Sequence, residues 1–75
     1  MKNKQIWVFV GPNDKIFDFA SSYEEAKSKS YEYHMSGTSF DLFPIDREEI
    51  ERSFKISDRP IFGWSENDFD QAFSA

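Results

Sequence analysis

The chain contains no cysteine, which excludes a disulfide framework and any thiolate metal site. It has a single histidine, His34, so no histidine cluster is available for a metal. No uninterrupted apolar run approaches the ~20 residues needed to span a bilayer. The stretch Ile6–Val10 follows lysines as a secretory h-region would. It is shorter than the about 7–15 apolar residues required, and no small-residue cleavage site follows it. The expected location is therefore the cytoplasm, with no membrane contact. Basic residues are also scarce: 9 Lys and Arg face 14 Asp and Glu, for a net charge of −5. That balance disfavours direct binding to a phosphate backbone. Internal repeats, low-complexity tracts and linkers are absent as well.

What the chain does have is aromatic bulk. Nine Phe, three Tyr and two Trp make up 19% of its 75 residues. A chain of this length makes one domain, residues 1–75, close to the lower limit for an independent core. Each enclosed aromatic buries roughly 150–250 Å², so a few of them can replace the missing cross-links.

The local patterns predict an α+β domain: an antiparallel sheet of three strands, with helices packed on one face. "QIWVFV" (5–10) and "KIFDFA" (15–20) are rich in strand formers and flank the turn residues "GPND", which reads as a hairpin. Trp7 and Phe9 point to one face of the first strand and Ile6, Val8 and Val10 to the other. Such two-sided apolarity marks a central strand or an aromatic outer face. "SSYEEAKSKSYEYHMSG" (21–37) reads as a helix opened by a Ser22–Glu25 capping box and closed at Gly37. "TSFDLFPI" (38–45) reads as a third strand whose Pro44 belongs near an edge.

"DREEIERSFK" (46–55) predicts a second helix. Asp46 is expected to cap it and Glu49 to close the box, with Ile50 and Phe54 forming the buried stripe. Glu48–Arg52 and Glu51–Lys55 are spaced for ion pairs. "IFGW" (61–64) is a fourth strand or an extended connector, giving the order β-β-α-β-α-(β)-α. In "RPIFGWSENDFDQAFSA" (59–75), Ser65 caps, Asp68 stands at N3 and Trp64 staples onto Phe69. At about nine residues this helix cannot persist alone in water, so it must pack on something. The expectation is that Trp64 and Phe69 are buried in the chain's own body, with Phe73 less so because ends fray.

Reactive chemistry finds little support. There is no nucleophile–base–orienter set, no Gly-x-Ser-x-Gly elbow and no phosphate loop in "VGPNDK". Asp18 and Asp41, both on predicted strands, could form a carboxylate pair only by converging in a cleft. They read more simply as acids that blunt sheet edges. "NDKIFDFASSYEE" lacks the ligand spacing of a calcium loop. The expectation is a protein that is not an enzyme and has no cofactor or metal.

The charge is unevenly placed. Residues 1–40 balance five acids with five lysines, while residues 41–75 carry nine acids against four bases. This asymmetry biases the chain toward a basic partner, although a modest negative charge also simply keeps a small domain soluble. The expected function is an acidic protein-binding module, an inhibitor that occupies a basic, nucleic-acid-binding type of surface on a larger protein. Asp46, Glu48, Glu49, Glu51, Glu66, Asp68 and Asp70 are the candidate partner-binding residues. In composition alone the chain resembles small phage-encoded proteins that inhibit host or defence enzymes, and that resemblance carries no site residues. Two alternatives stand beside it. One is an adaptor whose acidic-aromatic terminal helix docks in a hydrophobic groove. The other is a single-strand nucleic-acid binder that stacks bases on Trp7, Phe9, Phe17 and Phe19 with Lys2, Lys4 and Lys15 nearby.

Overall fold

The computed structural model describes residues 4–75. Three antiparallel strands, β1 (Gln5–Val10), β2 (Ile16–Ala20) and β3 (Asp41–Asp46), form one sheet in the order β2-β1-β3. Helices α1 (Tyr23–Met35), α2 (Arg47–Ile56) and α3 (Glu66–Phe73) complete the α+β domain. The class and the element order are those expected from the sequence. The placement of the helices is not: they lie on both faces of the sheet.

The reason is the double apolarity of β1, which runs down the middle of the sheet. Ile6, Val8 and Val10 join Ile16, Ile45, Ile50, Phe69, Ala72 and Phe73 in one buried layer, beneath α2 and α3. Phe9 packs on the opposite face with Ala20 and Ala26, and Trp7, Tyr33, Phe40 and Leu42 close around them beneath α1. A strand that presents apolar groups both ways must be covered both ways.

Two tight turns set the frame. In the β1–β2 loop Asp14 donates its amide to the Gly11 carbonyl at 3.0 Å and adopts φ 61°. Gly11 N–H reaches the Lys15 carbonyl at 2.9 Å, so three loop residues close the hairpin. This is the three-residue geometry, in which Pro12 presets the first φ and an Asp tolerates the left-handed position. Residues 61–64 form neither a strand nor an extended connector. Ile61 and Trp64 exchange both backbone bonds, at 2.9 and 3.0 Å, around Phe62 (φ 50°) and Gly63 (φ 82°). Left-handed φ suits Gly63 but costs an aromatic residue about 1–3 kcal/mol. Phe62 is held there by stacking on Phe43, with ring centroids 5.7 Å apart at 10°, and by its carbonyl accepting from Ile16 N–H at 2.8 Å.

The helix ends differ in how closely they follow expectation. Ser22 Oγ accepts from Glu25 N–H, and Glu25 Oε1 reaches back to Ser21 N–H at 2.8 Å rather than to Ser22. Gly37, at φ 78°, ends α1 while Thr38 N–H returns to the Tyr33 carbonyl at 2.9 Å. The α3 capping box is present in full: Ser65 N–H donates to Asp68 Oδ2 at 3.0 Å and Asp68 N–H to Ser65 Oγ at 3.3 Å.

The start of α2 departs from the predicted Asp46 cap. Asp46 makes no side-chain cap bond, because it is the last residue of β3 and its Oδ1 accepts from Gln5 Nε2 at 3.1 Å. The first helical amide, Arg47 N–H, is instead satisfied by the Lys4 carbonyl at 3.0 Å. Strand pairing thus runs directly into the helix and does the work of a cap.

The terminal helix packs on the chain's own body. Phe69 is fully buried, with Trp64 meeting it edge-on at 5.0 Å and Phe54 at 6.2 Å. The expected ranking within the tail is reversed: Phe73 is buried (1% exposed) and Trp64 only half-buried. Phe73 lies one turn beyond Phe69 on the side facing the sheet, so the core holds it against fraying.

Candidate partner-binding surface

The acids of the second half decorate the layer formed by α2 and α3. Each helix turns its apolar side to the sheet, Ile50 from α2 and Phe69, Ala72 and Phe73 from α3. Helical spacing then sends the acids outward: Glu48, Glu49, Glu51, Glu66, Asp68 and Asp70 are all exposed, and Asp46 is half-buried. Their freedom to meet a partner differs. Asp68 is engaged in its capping box, and Asp46 is tied to Gln5. Glu51 pairs within the helix with Arg47, Nε to Oε2 at 3.3 Å. On the other face, α1 carries Glu24, Glu25 and Glu32 among Lys27 and Lys29, with Glu25 3.7 Å from Lys29.

Asp18 and Asp41 do not form a carboxylate pair. They sit on the two edge strands, Asp18 opposite Phe9 and Asp41 opposite Val10. Phe9 and Val10 face different core layers, so the two acids are on different faces. Asp18 instead centres a network that single-residue reading did not anticipate. Tyr33 Oη donates to its Oδ2 at 2.6 Å, Lys29 Nζ to its Oδ1 at 3.1 Å, and the Phe19 amide to the same oxygen at 2.8 Å. Lys29 also donates to the Phe19 carbonyl at 2.8 Å. The readable signal was Lys29 and Tyr33, four apart on α1, facing the one charge in an otherwise apolar strand.

Burial raises the Asp18 pKa, but the bonds from Tyr33, the Phe19 amide and Lys29 outweigh it and hold the carboxyl below its ordinary 3.8. The same contact pushes the Tyr33 phenol up to about 12, through its hydrogen bond to Asp18, then burial and the nearby acids. The signs define a window. The Asp18 contribution is present above its unfolded pKa and is lost as pH falls through the lowered folded value. The Tyr33 contribution is present below its unfolded pKa and is lost as pH rises toward about 12. Denaturation midpoints of the wild type should therefore sag at both extremes. In Asp18→Asn the acid-side loss should shrink, and an unchanged acid limb would contradict the assignment.

The aromatic hairpin does not present its four rings on one open face: of the four only Phe17 is exposed, at 43%. Phe9 is fully buried beneath α1, Trp7 packs on Tyr23 at 5.6 Å, and Phe19 lies against Trp64 at 5.9 Å in the other layer. Of the lysines considered with them, Lys2 lies outside the described residues. Among the described residues, no group of three His, Cys, Asp or Glu side chains could hold a metal ion. No helix among them is long and apolar enough to cross a membrane. No family model matches the chain, and comparison with curated proteins and with solved structures finds no match.

Proposed function

We propose that the chain is a small acidic protein-binding module, a cytoplasmic inhibitor that acts by occupying a basic surface of a larger protein. A groove that normally holds nucleic acid has the charge such a module fits. It works by binding, without catalysis or a cofactor. One observation carries this reading: both C-terminal helices use their apolar sides inward and array their acids outward on the same layer. The surplus negative charge of residues 41–75 thus stands on a supported surface rather than a loose tail, and a preorganised surface loses less entropy on binding.

The groove-docking alternative is less well supported, since Phe69 and Phe73 are already used in the core. Stacking of single-stranded nucleic acid is disfavoured by the cover of α1 over Phe9 and by the net charge. Salt separates the readings. Binding to a polyarginine probe should weaken steeply between about 0.05 and 0.5 M salt. Capture from a host lysate should show the same dependence. Partner binding that is indifferent to salt would favour docking by the terminal helix.

A further inference from the structure

We infer that Asp18 and Lys29, with the turn at residues 61–64, seal the outer edge of β2 against a second copy of this chain. The ladder shows which groups need sealing. Val8 is paired with Phe43 on one side and Phe19 on the other. In an antiparallel sheet a residue of the central strand directs its N–H and C=O to only one neighbour. Arg47 N–H bonds the Lys4 carbonyl, so by two-residue alternation Ile45, Phe43 and Asp41 exchange bonds with β1. Val8 is then committed to β3, and the backbone groups of Phe19 point away from the sheet.

Those groups meet side chains rather than another strand. Phe19 N–H donates to Asp18 Oδ1 at 2.8 Å, and Phe19 C=O accepts from Lys29 Nζ at 2.8 Å. Asp18 and Lys29 also bond each other at 3.1 Å, which closes a clip around the edge. At the other end of β2, Ile16 N–H is taken by the Phe62 carbonyl at 2.8 Å. Between them Phe17 is the extra residue of a bulge, since Phe9 pairs with Asp18 and Val10 with Ile16. Bulges and charges turned onto an edge are the devices that prevent strand addition. The opposite edge has its own protection. Alternation directs Leu42, Pro44 and Asp46 outward from β3, and Pro44 removes the middle donor.

The occupant being excluded is a second β2. "IFDFA" combines aromatic and β-branched residues with one charge, the composition that pairs readily with itself when its edge is open. Opening it would join two sheets edge to edge, β2 against β2. The clip also explains why a charge sits inside an apolar strand, where it does no chemistry.

The test is the double variant Asp18→Val with Lys29→Met, which removes both partners of Phe19 without leaving either charge unpaired. In sedimentation the wild type should remain monomeric at millimolar concentration. The variant should self-associate at least about tenfold more strongly. A variant that keeps its native circular dichroism and stays monomeric would overturn the inference. Hydrogen exchange on the wild type decides the matter even if the variant does not fold. The Phe19 amide should exchange more slowly than that of Leu42, which points outward on the other edge. Equal exchange at the two amides would show that no clip persists in solution.

Discussion

A chain truncated after Gly63 should show no cooperative unfolding transition at 25 °C. The lost segment contains Phe69, Ala72 and Phe73, all buried beneath the sheet, and Trp64, which seals Phe19 and Phe69. Removing one buried Phe side chain typically costs ~3–5 kcal/mol. A domain this small rarely has more than ~3–5 kcal/mol from its core, so the deletion exceeds what can be lost. The undersides of Ile6, Val8 and Val10 would be left facing water. Far-ultraviolet circular dichroism during a thermal scan checks this. A truncated chain that melts as the full chain does would show that α3 is an appendage.

Phe9→Ala should be the most damaging single substitution on the α1 side. Phe9 is fully buried, and its ring lies 5.4 Å from Tyr33, 5.3 Å from Phe40 and 6.2 Å from Phe17. The expected loss is ~3–5 kcal/mol, enough to unfold most of the population. Phe54→Ala should cost clearly less, because Phe54 is only half-buried and serves as a flank to Phe69. Urea titration of the two variants against wild type measures the difference. Equal losses would mean that the core is not divided as described.

The fold was legible wherever local physics decided the outcome. Alternation in "QIWVFV" identified β1 and its two faces. Ser65, Asp68 and the Trp64–Phe69 contact specified α3 and its packing. The errors arose where a distant contact overrode a local rule. Asp46 has the residue type of a cap, but pairing with Gln5 and the Lys4 carbonyl supersede it. Residues 61–64 look extended, yet Phe43 and Ile16 hold Phe62 in a tight turn. Cover on both faces followed from β1 itself, but α1, the longest of the three helices, is largely exposed with Ala26 as its only buried residue and gave little sign of a core-facing role. The candidate surface was readable as charge asymmetry. The commitment of Asp68 to its capping box was readable too. Those of Asp46 to Gln5 and of Glu51 to Arg47 were not, since they depend on which partners folding brings to them.

A matched pair of charge reversals tests most directly whether the acids of α2 and α3 are a binding surface rather than a solubilising coat. One variant changes Glu48, Glu49 and Glu51 to Lys, the other Glu24, Glu25 and Glu32 to Lys, so net charge shifts equally in both. Affinity for polyarginine is measured at low salt, beside thermal melting to confirm that each variant folds. The α2 variant should lose at least about tenfold in affinity and the α1 variant no more than about twofold. Equal losses, or no loss in either, would contradict the acidic layer as the partner-binding surface.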